Sequence, residues 1–227
     1  MFKHQSKQMS ETLELGVVLA LAGGFMDAYS YMCRGHVFAN AQTGNILLLG
    51  VNLSQGNWPA AVRYLVPVLA FVAGLALADL FRLIRRGTET LHWRQVTVAL
   101  EALVLIAVGF MPQSLNLLAN SLTSLACGIQ VESFRKIHGS GIATTMCIGN
   151  LRSATQNLSE FLHTRDRGAL QKSGLYYFII LCFIVGAILG NLAVGALAEK
   201  AILIAPAFLA LAFVMMFIDL ERSPRSS

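Results

Sequence analysis

Charge is what this chain has least of. Asp, Glu, Lys and Arg make up 13% of its 227 residues, about half the share of an ordinary soluble domain. Cysteine is sparse as well: Cys33, Cys127, Cys147 and Cys182 form no CxxC pair, which speaks against a zinc site or a disulfide framework. No HExxH or GxSxG motif occurs, and none of the five histidines pairs with another at helical ligand spacing. A metal centre, a cofactor and a nucleophile–base pair therefore have no visible support, and the chain reads as a non-enzyme. The net charge is +5, but Lys and Arg sit in short clusters rather than in a basic stripe interleaved with aromatics. No nucleic-acid partner is expected.

Hydrophobic residues are abundant, at 56%. Residues 173–198, 201–218 and 114–131 carry no charge at all, and residues 95–111 carry only Glu101. Apolar runs of about 18 residues or more are long enough to cross a bilayer. Several in one short chain indicate an all-α, polytopic membrane helix bundle whose partners begin with membrane lipid. Lys3 and Lys7 precede an apolar run with Ala20-Leu21-Ala22 near its end, as in a signal peptide. Glu11 and Glu14 intrude before that run, so the segment is expected to stay as a first helix.

A polar, glycine-rich stretch occurs twice. One copy runs from Leu21-Ala22-Gly23-Gly24 through Gly44-Asn45 to Asn52-Leu53-Ser54. The other runs from Leu125-Ala126-Cys127-Gly128 through Gly149-Asn150 to Asn157-Leu158-Ser159. With one inserted residue the copies share Gly24/Gly128, Gly35/Gly139, Ala39/Ala143, the Gly-Asn pair and the Asn-Leu-Ser triplet. Further along, Phe71, Gly74, Leu77 and Leu80 match Phe183, Gly186, Leu189 and Leu192. Repeats of this kind divide a single membrane domain (residues 1–227) into halves of about 12–111 and 114–220.

Charge placement sets the number of crossings. Eight plain crossings from a cytoplasmic N-terminus would put Arg82, Arg85, Arg86 and Arg94 outside, against the positive-inside rule. If segments 35–55 and 140–162 are broken or re-entrant, six full crossings remain. Both termini are then cytoplasmic in a bacterial inner membrane. Three crossings per half make the repeat inverted.

Several polar residues must be explained at membrane depth. Non-helical backbone survives there only when protein or water satisfies its amides. Asn40, Gln42, Thr43, Gly44 and Asn45 form one candidate substrate-binding stretch; Thr144, Thr145, Gly149 and Asn150 form its counterpart. Helix packing by small and amide residues is the equally weighted alternative. Asp27 lies within the first apolar segment, with Gln130 and Glu132 at the matching depth of the second copy, and Glu101 lies mid-segment. A charge so deep costs about 2.5–3.5 kcal/mol on insertion scales. Asp27, Glu101 and Glu132 are thus candidates for a proton relay, since a carboxyl kept from water holds its proton more tightly. Pairing with Arg34, Arg135 or Arg152 is the structural alternative. Gly16, Gly74 and the Gly186-xxx-Gly190 spacing point to close helix contacts, within the chain or in a homo-oligomer.

The sequence Gly24-Phe25-Met26-Asp27-Ala28, followed by Gly35, Phe38 and Thr43-Gly44-Asn45, resembles the YoaK family of bacterial integral membrane proteins. That family has no established function. Cys127-Gly128-Ile129-Gln130 and Thr144-Thr145 extend the likeness into the second half, while Ile148 and Glu132 depart from the family pattern. The resemblance implies a six-helix inner-membrane protein of about this length. The physical reading adds a transporter or channel for a small polar solute or ion, coupled to protons through Asp27. A non-transporting membrane scaffold and a membrane-embedded enzyme are the alternatives.

Overall fold

A computed structural model describes residues 12–84, 93–134 and 143–222, with side chains as far as residue 216. The described residues are helical almost throughout. The order is α1 (Leu13–Cys33), α2 (Gln42–Ser54), α3 (Trp58–Ile84), α4 (Trp93–Gly109), α5 (Asn116–Ser133), α6 (Cys147–Thr164), α7 (Arg167–Leu197) and α8 (Ala205–Arg222). Short 3-10 turns at Gln113–Leu115 and Ala198–Ile204 lead into α5 and α8. Gly139, Arg85, Arg86, Arg135 and the terminal basic residues invoked above lie outside the described residues.

Local signals account for the helix starts. The Thr12 hydroxyl accepts the N–H of Leu15 at the start of α1, and the Asp166 carboxylate accepts that of Gly168 at the start of α7. Both side chains take up an amide that the first turn would otherwise leave unbonded. Pro59 sits in the first turn of α3, where its missing N–H costs nothing. Pro67 is accommodated inside the same helix. The two polar segments each divide. Residues 34–41 and 143–146 are non-helical, and α2 and α6 follow them.

Three stretches among the described residues are long and apolar enough to cross a membrane: Leu13–Cys33, Trp58–Ile84 and Arg167–Met216. The third is 50 residues long and contains α7 and α8 as far as Met216. At 17 residues, α4 spans about 25 Å at 1.5 Å per residue. Polar residues along α5, among them Asn120, Thr123 and Ser124, reduce its hydropathy, and all three are buried.

Helices from the first part of the chain pack on helices from the second. α1 lies along α7, and α3 lies along α5; α4 packs on α5 and α8 packs on α1, with α4 and α8 touching. α2 rests on α3 as α6 rests on α7. The core forms where these meet, with Leu19, Phe25, Met26, Leu105, Ala126 and Leu209 almost wholly buried. The outward faces of α3 and α7 remain apolar, with Leu69, Val72, Leu181, Ile184, Ile188 and Leu192 exposed. A surface so apolar suits lipid rather than water.

Glycines set the closest approaches. A Cβ on Gly24 would lie 2.0 Å from the carbonyl oxygen of Phe183, and one on Gly186 would lie 2.1 Å from that of Leu21. Across the other pair, a Cβ on Gly128 would meet the Phe71 carbonyl oxygen at 2.3 Å, and one on Gly74 that of Leu125 at 2.2 Å. These residues are the partners matched by the sequence repeat. Contact of this kind between backbones is how helices associate where no hydrophobic effect drives them together.

Candidate functional site

The first turns of α2 and α6 open on one cavity of about 800 Å³. Gln42 and Thr43 line it from α2; Cys147, Ile148 and Gly149 line it from α6. Asp27, Ala28 and Tyr31 contribute from α1, Phe71 from α3, and Phe183, Ala187 and Asn191 from α7. Asn40 and Thr145 border it from the non-helical stretches. Most of the wall is apolar, with a few polar groups, the usual make-up of a small-molecule site. No Lys, Arg or His is among the lining residues. Among the described residues, no group of three His, Cys, Asp or Glu could hold a metal ion.

Asp27 is buried, and its Oδ1 accepts the N–H of Asn40 at 2.7 Å and that of Ala41 at 3.4 Å. Those amides lie just ahead of α2, so the carboxylate sits at the positive end of that helix. The alternative pairing of Asp27 with Arg34 is not formed. Arg34, wholly buried, turns instead to the Tyr29 hydroxyl at 2.7 Å, Asn116 Oδ1 at 3.1 Å, and the carbonyls of Val108 and Met111 at 3.1 and 2.9 Å. The Val108 carbonyl is in the last turn of α4 and that of Met111 lies just beyond it, where a cation is favoured. Asp79, near the end of α3, pairs with Arg82.

Asn45 and Asn150 make the same pair of bonds. Asn45 Oδ1 accepts the N–H of Phe38 at 3.0 Å, and its Nδ2 donates to the Phe38 carbonyl at 2.8 Å. Asn150 clamps Ala143 in the same two-bond manner, at 3.2 and 2.6 Å. Each side-chain amide satisfies the backbone of a non-helical residue. The clamps also correct the register of the repeat. They make Phe38 the counterpart of Ala143, so the inserted residue lies ahead of Ala143 and the match of Ala39 to Ala143 is off by one. Further on, Asn52 and Asn157 each donate to the carbonyl four residues earlier, at 2.7 Å in both halves.

The remaining candidates divide. Gln42 reaches the cavity but also bonds the Ala39 carbonyl and receives the Asn45 amide. Gly44, Asn45, Thr144, Asn150 and Gln130 are not among the lining residues. Gln130 donates to the Leu19 carbonyl on α1 at 3.2 Å. Glu101 is fully buried within α4, away from the cavity, and neither carboxyl oxygen has a hydrogen-bond partner among the described residues. Glu132 is half-buried near the end of α5, also away from the cavity; its expected partner Arg135 is outside the described residues.

Tyr31, Phe38 and the pair Phe71/Phe183 complete the wall. The Phe38 ring stacks on Tyr31 with centroids 4.8 Å apart. It also covers Gly44, where a Cβ would lie 2.7 Å from the ring. The seven-residue spacing of Tyr31 and Phe38 gives no periodic cue, because the chain leaves the helix between them. Phe71 and Phe183 were visible only as matched repeat positions.

Residues 15–215 match the family model described as "Protein of unknown function (DUF1275)". The chain belongs to this family. It is 29% identical over 187 residues to the "UPF0700 transmembrane protein YoaK" of Bacillus subtilis (strain 168), covering 78% of this chain and 81% of that protein. No solved structure matches. The family and the apolar helices together identify a helical transmembrane protein.

Proposed function

We propose that this protein is a transporter or channel moving a small polar solute or ion across a bacterial inner membrane, with Asp27 as its proton-coupling group. In this reading α1, α3, α4, α5, α7 and α8 are six crossings, and both termini are cytoplasmic. The half-helices α2 and α6 enter from opposite faces. The halves 12–111 and 114–220 form an inverted repeat about an axis in the membrane plane. Three observations support that arrangement: the matched glycine contacts, the matched asparagine clamps, and the exchange of helix partners between halves.

One observation carries the reading. The Gly44-Asn45 and Gly149-Asn150 pairs fall in the first turns of α2 and α6 rather than in unwound backbone, and the first residues of both helices border a single cavity. Broken helices meeting at such a point are where transporters hold their cargo. Of the three acids considered, only Asp27 lines it, so the relay narrows to that carboxyl.

The test is flux in proteoliposomes containing a pH-sensitive dye, with amino acids, small carboxylates, amines, polyols and alkali cations as the solute panel. At least one solute drives proton movement through the unaltered protein. Thr43→Trp, which fills the cavity from an exposed position with no side-chain bond to lose, lowers that flux at least tenfold. Asp27→Asn uncouples it from protons. Undiminished flux in Thr43→Trp rules out the cavity as the route, and unchanged proton movement in Asp27→Asn removes the coupling role.

A further inference from the structure

The large cavity has a charge of one sign. Asp27 is the one acid among its lining residues, and no Lys, Arg or His joins it there. Arg34 directs its donors to Tyr29, Asn116 and the end of α4, so it makes no bond to that carboxylate. The other titratable groups near Asp27 are Tyr31 one turn along α1, Cys127 on α5 and Cys147 on α6. None of them brings a positive charge.

The carboxylate is only half engaged. Both backbone amides that reach it bind Oδ1, at 2.7 and 3.4 Å. Oδ2 accepts no hydrogen bond from the described residues, and it is not among the unpartnered oxygens sealed from solvent. Asp27 keeps 7% of its surface accessible, and it lines the cavity. A side chain more than nine-tenths buried thus presents an unpaired anionic oxygen to an enclosed space. Burying a charge is costly unless a partner compensates it.

The rest of the wall selects the kind of partner. Tyr31, Phe38, Phe71 and Phe183 reach the cavity from α1, the stretch after it, α3 and α7. Tyr31, Phe38 and Phe183 are half-buried and Phe71 is 8% exposed, so each ring keeps some surface open. Ring faces attract a cation that a carboxylate also holds, and organic ammonium groups are recognised in this way. A bare metal cation fits less well. Hard cations gather about six oxygens, whereas this wall is mostly carbon.

We infer that the cavity takes an organic ammonium with an apolar body, its charge on Asp27 Oδ2 and its hydrocarbon against the four rings. This rests on the cavity being a solute site, as proposed above, and names the class of solute. A carboxylate holds an ammonium or a proton but not both, so the binding and coupling roles of Asp27 reside in one group.

The test is isothermal titration of the full chain in phosphatidylcholine nanodiscs, with empty nanodiscs as the blank. The probes are 4-phenylbutylamine, 4-phenylbutanol and 4-phenylbutanoate, which share a skeleton and differ in the terminal ammonium, hydroxyl or carboxylate. The amine binds about tenfold more tightly than the alcohol, because its bond to the carboxylate is charge-assisted, and the carboxylate probe binds more weakly still. Asp27→Asn keeps an oxygen for the two backbone amides and puts a donor in place of Oδ2. It brings the amine down to the level of the alcohol. Thr43→Trp, which fills the cavity, removes the binding of both. Sodium at the amine's own concentration does not displace it.

Equal binding of amine and alcohol overturns the inference, as does an unchanged amine affinity in Asp27→Asn. Amine binding that survives Thr43→Trp, or that sodium displaces, overturns it as well. Should Asp27→Asn fail to fold, the ratio of amine to alcohol on the unaltered protein decides. If no probe binds while another solute crosses in a manner that Thr43→Trp blocks, the organic ammonium is wrong and the transport reading stands. If there is neither binding nor flux, both fall.

Discussion

Gly24→Val and Gly128→Val each eliminate most of the folded, monodisperse protein recovered from membranes. The added Cβ would sit 2.0 Å from the Phe183 carbonyl oxygen in the first variant and 2.3 Å from that of Phe71 in the second. The obstacle is backbone, which has no rotamer to change. The helices must part by more than 1 Å, and α1–α7 and α3–α5 are the most extensive helix contacts among the described residues. Overpacking typically costs about 1–3 kcal/mol, occasionally more. These sites belong at the upper end, because each separation also opens the matching contact at Gly186 or Gly74. Gly174→Ala serves as the control, since nothing lies within 4 Å of its added carbon. Size-exclusion profiles of the three variants decide the matter. A normal profile for Gly24→Val would mean that α1 and α7 are not in backbone contact.

Arg34→Met produces the second large effect, a fall of roughly 10 °C in the detergent melting temperature. The guanidinium donates to a hydroxyl, an amide oxygen and two carbonyls at and just beyond the end of α4. Removing it leaves buried acceptors unpaired, at about 1–3 kcal/mol each. A total near 4 kcal/mol corresponds to roughly 10 °C for a chain of this length. Arg34→Lys keeps the charge but lacks the planar fork, so it recovers only part of the loss. The Tyr29 hydroxyl that receives Arg34 lies 3.1 Å from the carbonyl of Glu199, so one residue ties α1 to α4, α5 and the turn before α8. An unchanged melting curve would show that these bonds do not hold the helix ends together.

The sequence made some of this legible and hid the rest for identifiable reasons. Runs with little or no charge marked α4, α5, α7 and α8 with ends off by up to six residues, because apolar helices announce themselves by composition. Gly24, Gly74, Gly128 and Gly186 stood out as matched sequence positions, and the contact of Gly24 with Phe183 has its like in that of Gly128 with Phe71, as Gly186 with Leu21 has in Gly74 with Leu125. Asn45 and Asn150 stood out as polar groups in an apolar setting. Their bonds to residues seven positions back depend on a loop geometry that no helical or strand period predicts. Arg34 read as a candidate partner for the buried acids, since its actual partners, apart from Tyr29, lie 74–82 residues away. Gln130 looked like a site residue because it is polar and buried, and it proves to tie α5 to α1.

The account depends most on α2 and α6 reaching the shared cavity from opposite faces of the membrane. Impermeant maleimide labelling in intact cells tests this directly, using Gln55→Cys after α2 and Arg167→Cys at the start of α7, each introduced after the four native cysteines are replaced by serine. Labelling of position 55 from outside, with position 167 labelled only after the membrane is opened, is the predicted result. Labelling of both positions from the same side would contradict the inverted arrangement and, with it, the central site.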